Sequence, residues 1–206
     1  MIGTIMYSQF FKRIFDFTVA GTALLILLPF FLFVSVFIKM DSKGPVFFRQ
    51  KRGGRNGKYF DIFKFRSMTV KEKADGKDFD AGSCSRITWA GKMIRRTKID
   101  ELPQLINVVR GEMSLVGPRP EVEIYIRLYQ TRWDRVLSVS PGITDPASIK
   151  FRNEEELLAK AENPEDEYRN VILPRKLEIY EDYVSRISFL NDVKILIGTI
   201  FVVLKG

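Results

Sequence analysis

Asp100 and Glu101 stand side by side in the chain, with Arg95, Arg96 and Lys98 just upstream and Arg119 downstream on a turn between Pro118 and Pro120. Carboxylates among cations suit phosphate chemistry. The cations neutralise phosphate oxygens, and an ionised carboxylate can attack phosphorus or help hold a metal ion. The local residue types place Asp100 as a helix N-cap, with Pro103 in the first turn, Gln104 one turn along the helix and Gly111 as its stop. On that placement the cations and the helix N-terminus both favour the charged carboxylate, and the same N-terminus favours a bound phosphate. An aspartate before a helix is also an ordinary cap, so these residues alone leave both readings open.

The rest of the composition narrows the chemistry. The 206 residues include no histidine and one cysteine, Cys84. Ser-His-Asp triads, Cys-His pairs, His-ligated zinc and an intrachain disulfide are therefore excluded. The formal net charge is +8, from 33 Lys and Arg against 25 Asp and Glu. Such a chain favours anionic partners: phosphates, acidic lipid headgroups or nucleic acid. No nucleic-acid recognition motif is present, so a nucleic-acid partner is not expected. Phosphate chemistry with Mg²⁺ held by oxygen ligands is the first expectation. The length suits one domain with a real core.

Several elements must position those residues. Phe17 to Ile38 is a run of 22 residues without a charge. As a straight helix it is about 33 Å long, against about 30 Å for a bilayer core. Pro29 lies near its middle, after Leu28, and basic residues flank both ends: Lys12 and Arg13 before, Lys39 and Lys43 after. Proline removes a helix hydrogen bond, and positive charge marks the cytoplasmic side. The expectation is a helix-break-helix that enters and leaves the membrane by one face. Residues 46–52 and 58–66 read as a β-hairpin around Gly53-Gly54-Arg55-Asn56-Gly57. Ile62, Lys64 and Arg66 then share one face of its second strand. Residues 71–85 read as a mobile loop. Helices are expected at 87–97, 121–136, 154–162 and 175–186, and the apolar run 193–204 either lies on the membrane or packs on the domain.

In their order these segments resemble the bacterial sugar transferase family, the small monotopic phosphoglycosyl transferases. The matching pieces are Lys12-Arg13-Ile14-Phe15-Asp16, the apolar run with Pro29, Gly44-Pro45-Val46-Phe47-Phe48-Arg49-Gln50 and Phe63-Lys64-Phe65-Arg66-Ser67-Met68. After them come Ile99-Asp100-Glu101-Leu102-Pro103-Gln104, then Met113-Ser114-Leu115-Val116-Gly117-Pro118-Arg119-Pro120, and last Pro141-Gly142-Ile143-Thr144. Each fragment alone is weak, whereas seven in order are specific.

The resemblance implies an α/β fold, mostly α with a small β-hairpin. Residues 1–43 would form the re-entrant membrane helix, and residues 44–206 a single compact cytosolic domain with membrane-surface helices. It implies a ping-pong reaction at the bacterial inner membrane. Asp100 would attack the β-phosphorus of a UDP-sugar and release UMP, and polyprenyl phosphate would then take the phospho-sugar from the aspartyl intermediate. Glu101 would place Mg²⁺ together with Asp100, or handle a proton. Lys64, Arg66, Arg95, Gln104, Pro118, Arg119, Pro120 and Arg152 would contact substrate, Leu28 and Pro29 would mark the helix break, and a homodimer is compatible with this reading. Two departures stand out: many members carry serine where Leu28 stands, and Gly-Trp where Asp145-Pro146 follows Pro-Gly-Ile-Thr. A membrane-anchored scaffold or nucleic-acid binder, in which Asp100 only caps a helix, is the competing expectation.

Overall fold

The computed structural model describes residues 7–69 and 86–204, so the loop expected at 71–85 lies outside the described residues, apart from its neighbours. A π-helical turn, Tyr7–Phe11, leads into α1, Lys12–Asp41, a 30-residue helix with Pro29 inside it. The expected break at Leu28-Pro29 is therefore not an interruption of the helix. One proline deletes one donor, and the neighbouring hydrogen bonds carry the element past it. Lys12, Asp16, Ala20, Phe31, Val34 and Ile38 form a buried stripe along α1. Its opposite side exposes Phe17, Leu25, Ile26, Leu28, Leu32, Phe33, Val36 and Met40. The helix is long and apolar enough to cross a membrane.

Both ends of α1 are fastened to the same body. At the N-terminal end Lys12 pairs with Asp192, and Arg13 donates to the carbonyls of Val108 and Val109 at 2.5 and 2.8 Å. Asp16 accepts from the Ser114 hydroxyl at 2.7 Å and from Leu115 N–H at 3.2 Å. At the C-terminal end Arg66 donates to the carbonyls of Pro45 and Ser42 at 2.5 and 2.6 Å. Helix C-termini leave carbonyls without intrahelical donors, and a guanidinium has the right charge and donor fork for that place.

The hairpin forms as its β-branched and aromatic content predicts. Strands β1, Phe47–Gly53, and β2, Tyr59–Phe65, pair antiparallel, with Phe48 opposite Lys64, Gln50 opposite Ile62 and Arg52 opposite Phe60. Then follow α2, Trp89–Arg96, a 3₁₀ turn at Ile99–Glu101, and α3, Gln104–Arg110. Asn107 of α3 clips the edge of the hairpin: it accepts from Phe63 N–H at 3.0 Å and donates to the Asp61 carbonyl at 2.8 Å.

Two segments read as turns in the sequence also contain strands. β3, Ser114–Val116, and β4, Gly142–Thr144, pair in parallel, with Ser114 opposite Gly142 and Val116 opposite Thr144. Three-residue strands lack a periodic signature, so turn residues dominate the local reading. The helix expected at 121–136 is two, α4 at Glu123–Leu128 and α5 at Gln130–Val136, parted at Tyr129. The remaining helices are α6, Pro146–Lys150; α7, Glu154–Lys160; α8, Pro164–Glu167; α9, Leu173–Ser185; and α10, Phe189–Leu204. Trp133, Tyr125, Leu173, Leu177 and Tyr180 centre one core cluster. A second joins Ala20 of α1 to Leu105, Val108, Val116 and Tyr183, and a third joins Phe31, Val34 and Ile38 to Phe65 and Ile94. The architecture is mostly helical with two small sheets, and α1 shares its cores.

Gly142 of β4 and Gly117, just after β3, approach too closely for a side chain on either. A Cβ on Gly142 would meet the backbone nitrogen of Gly117 at 2.1 Å. Gly142 N–H also donates to the Pro118 carbonyl at 2.9 Å, which fixes the turn carrying Arg119. Gly142→Ala is expected to cost about 1–3 kcal/mol by overpacking. Thermal denaturation would show the lower midpoint, and an unchanged midpoint would contradict this packing.

Candidate active site

Glu101 lies at the end of the 3₁₀ turn and is the hub of the cluster. Lys64 from β2 reaches its Oε1 at 2.9 Å. Arg119 grips the same carboxylate with both terminal nitrogens, one of them at 3.1 Å from Oε2. A planar guanidinium matches a carboxylate in this bidentate way. Burial alone would raise the Glu101 carboxyl, but Arg119 and Lys64 together hold it well below the usual carboxylate range. Burial lowers the Lys64 ammonium, against the pull of Glu101.

Arg119 is placed by backbone on both sides. β4 holds the carbonyl of Pro118, and Gly53 N–H donates to the carbonyl of Glu121 at 2.9 Å. Pro118 and Pro120 are buried and shape the turn.

Asp100 differs from the sequence expectation in two respects. It sits inside the 3₁₀ turn, and α3 begins at Gln104 with Pro103 before it, so Asp100 is not the helix N-cap. And its carboxyl is not eased toward ionisation by its surroundings: burial first, then the charge of Glu101, raises it from the ordinary value, while Lys64, Lys98 and Arg95 oppose the rise. The cations visible in sequence are present, but desolvation outweighs them. Asp100 Oδ1 is buried and accepts no hydrogen bond. One turn on, Gln104 is 1% exposed and neither end of its amide has a partner. A buried polar group without a partner costs about 1–3 kcal/mol, so three such atoms on neighbouring turns mark a place arranged for something other than stability.

Mg²⁺ takes oxygen ligands, keeps several waters and usually engages one or two carboxylates plus substrate phosphates. Asp100 Oδ1 and Gln104 Oε1 are buried oxygens with nothing bonded to them, so they fit such an ion. Glu101 fits less well, because Lys64 and Arg119 already engage its two oxygens. Among the described residues no group of three or more acidic or cysteine side chains gathers for a metal.

Thus Lys64, Arg119, Glu101 and Asp100 come together, with Arg95 near enough to act on Asp100 by its charge. Arg66 does not join them, because its guanidinium is spent on the end of α1. Arg152 is an exposed turn residue, away from the groups that hold Glu101. Asp145, at the Pro-Gly-Ile-Thr departure, caps α6 by accepting from Ser148 N–H at 2.8 Å.

The seven segments singled out in the sequence fall mainly along the stripe of α1, the hairpin and the walls of this cluster. A family model described as bacterial sugar transferase matches residues 7–206. The chain belongs to the bacterial sugar transferase family. Relatives include the uncharacterized sugar transferase EpsL of Bacillus subtilis (strain 168), 38% identical over 189 residues, which cover 92% of this chain and 85% of that protein. The UDP-glucose:undecaprenyl-phosphate glucose-1-phosphate transferase of Escherichia coli (strain K12) is 35% identical over 198 residues, 94% of this chain and 40% of its own length. The UDP-N-acetylgalactosamine-undecaprenyl-phosphate N-acetylgalactosaminephosphotransferase of Aeromonas hydrophila is 34% identical over 206 residues, 96% of this chain and 44% of its own. The chain thus spans less than half the length of these two relatives.

Sequence reasoning on this family member missed Asn107, Arg52 and Glu121. Asn107 carried no signal beyond its helix. Arg52 shares a strand face with Lys64 by the observed register, a relation visible once the hairpin is drawn.

The raised Asp100 carboxyl has a consequence for stability. A folded-state value above the unfolded one means the fold disfavours the charged form, so stability declines as pH rises from the ordinary carboxylate value, about 3.9, through the raised one. Asp100→Asn removes that cost. The variant is expected to melt higher than wild type at pH 7, with the difference closing below about pH 4. Glu101→Gln has the opposite sign, because it leaves two half-buried cations without their carboxylate, and should cost about 1–3 kcal/mol. Melting curves across pH for both variants check the pair, and a destabilised Asp100→Asn at pH 7 would contradict the Asp100 analysis.

Proposed function

We propose that this protein is a phosphoglycosyl transferase that moves a phospho-sugar from a UDP-sugar to polyprenyl phosphate, giving a polyprenyl-diphosphate sugar and UMP. The observation that carries this reading is an Asp100 carboxylate buried beside three cationic side chains with one oxygen unpartnered, in a chain whose named relatives transfer sugar phosphates to undecaprenyl phosphate.

In the first half-reaction an Asp100 oxygen attacks the β-phosphorus and UMP departs. Polyprenyl phosphate then attacks the phosphosugar-aspartyl intermediate and frees Asp100. Lys64 and Arg119 neutralise diphosphate oxygens, and Glu101 fixes both cations in register with Asp100. Lys64, Lys98 and Arg95 favour the ionised form of the nucleophile against its burial. Bound Mg²⁺, held by Asp100 Oδ1 and the Gln104 amide oxygen with waters and phosphate oxygens, would supply further charge neutralisation. The residues themselves position the reacting groups and exclude water, which is most of what phosphoryl transfer needs.

The same reading makes α1 a re-entrant element at the cytoplasmic face of the inner membrane, and the reaction a first membrane step of glycoconjugate synthesis. Its support is mechanical. A 30-residue helix is about 45 Å long. Both of its ends bind one domain, whereas a straight crossing would leave the ends on opposite sides of the bilayer. The exposed apolar side is left for lipid, and the exposed Ile197, Ile200 and Phe201 of α10 suit the membrane surface.

Two measurements test this. With a UDP-sugar alone, wild type should yield a phosphosugar adduct on Asp100, and Asp100→Asn should stay folded yet lose UMP release by at least about 10⁴-fold, as removal of a covalent nucleophile does. Retained turnover in that variant would sink the nucleophile assignment. Single cysteines placed before Lys12 and after Asp41 should both label from the cytosolic side. Labelling from opposite sides would mean that α1 spans.

A further inference from the structure

A second arginine is half-buried next to the cluster, and the reaction as written gives it no task. Arg52 of β1 donates from Nη1 to Glu121 Oε1 at 2.9 Å and from Nη2 to Gln50 Oε1 at 2.7 Å. Its Nε–H is buried and has no acceptor. Glu121 is itself held: it accepts from Val122 N–H at 2.8 Å and from the Tyr168 hydroxyl. The guanidinium is therefore fixed in orientation while one of its donors is left over.

The position of Arg52 relative to Asp100 follows from the register. Lys64, Ile62 and Phe60 stand opposite Phe48, Gln50 and Arg52, so Lys64 and Arg52 project from one face of the hairpin. Four residues along a strand separate them by about 13 Å. Arg119 bridges the interval. It grips Glu101 at the Lys64 end, and it stands two residues before Glu121, the partner of Arg52. The Arg119 charge acts on Arg52 and helps, after burial, to depress its guanidinium. Cations therefore run Lys64, Arg119, Arg52 along the face, with Asp100 beside the first of them. A buried donor left without a partner, next to a second guanidinium, suits an oxyanion.

We infer that Arg52, with Arg119, holds the phosphate of the departing nucleotide. This rests on the reaction proposed above. There, an Asp100 oxygen forms a bond to the β-phosphorus while the bond from that phosphorus to the bridging oxygen breaks. The electron pair leaves with the bridging oxygen, and UMP departs with one more negative charge on its phosphate. In-line displacement puts the leaving oxygen opposite the attacking one. Arg52 lies beyond Arg119 on the side away from Asp100, the direction in which the phosphate of the leaving UMP would point. Glu121, Gln50 and Tyr168 are its positioning residues.

The test uses the full chain in nanodiscs, with UMP as the probe, in Arg52→Gln and Arg52→Lys. Calorimetric UMP binding should weaken about 10–100-fold in Arg52→Gln, the range for a lost charge-assisted hydrogen bond. Arg52→Lys keeps the charge but not the fork, and should weaken at least about threefold. The kcat/KM for polyprenyl phosphate should not change in either variant, because in a ping-pong scheme it reports the second half-reaction alone. Unaltered UMP binding in a folded Arg52→Gln would overturn the inference. If that variant does not fold, unaltered UMP binding in Arg52→Lys overturns it instead. A lowered kcat/KM for polyprenyl phosphate with unaltered UMP binding would assign the site to the lipid phosphate and also overturn it. UMP binding needs no turnover, so a wild type that forms no Asp100 adduct would count against the reaction and leave the binding result to stand separately.

Discussion

The pairing of Glu101 with Lys64 and Arg119 is the constraint around which the site is arranged. A lone buried charge is very costly, and three buried charges are tolerable only when their geometry is good and their hydrogen bonds are filled. Arg119 meets that demand through two parallel bonds, and Lys64 through one. The consequence is structural as well as electrostatic. One pairing binds the hairpin, the 3₁₀ turn and the proline turn together, three segments far apart in sequence. Asp100 then inherits a fixed position from its neighbour. It needs no partner of its own to be held, and its Oδ1 has none.

Much of this site was legible in the residues, and the limits of legibility have physical causes. Local order reads well: the hairpin and the arginine between prolines fell where residue types placed them, whereas Asp100 lies inside a 3₁₀ turn and caps no helix. Arg66 did not, since alternation along β2 puts it on the Lys64 face while saying nothing of which structure covers that end of the strand. There the covering structure is the end of α1, whose open carbonyls claim the guanidinium. The protonation balance of Asp100 was missed for a related reason. Sequence shows nearby charges but not desolvation, and desolvation is the largest influence on this group. β3 and β4 were too short to announce themselves, and they matter because their close crossing fixes Pro118.

The long apolar helix illustrates how a membrane element and a core element can be one object. Its buried stripe recurs at helical spacing from Lys12 to Ile38, and that stripe includes two charged residues at its start. Lys12 and Asp16 would be out of place facing hydrocarbon, but each has a partner in the domain. The other side of the helix has no such partners and is apolar. Periodicity therefore separates the two environments residue by residue, where an average over the segment blends them. In such an arrangement one helix gives one side to the domain's core and leaves the other, apolar side uncovered.

Unsatisfied polar atoms at Asp100 and Gln104 set stability against use. Natural domains fill such sites, because each orphaned group weakens the fold. Here three of the orphans belong to Asp100 and Gln104, while adjacent groups of the same kind, such as Asn107 and Glu101, are fully bonded. Arg52, Arg66, Arg86 and Trp133 each leave one buried nitrogen without a partner as well, so a single unfilled bond does not by itself mark a site. What sets Asp100 and Gln104 apart is that their orphaned atoms lie within one turn of chain, where Lys64, Lys98 and Arg95 act on the carboxylate.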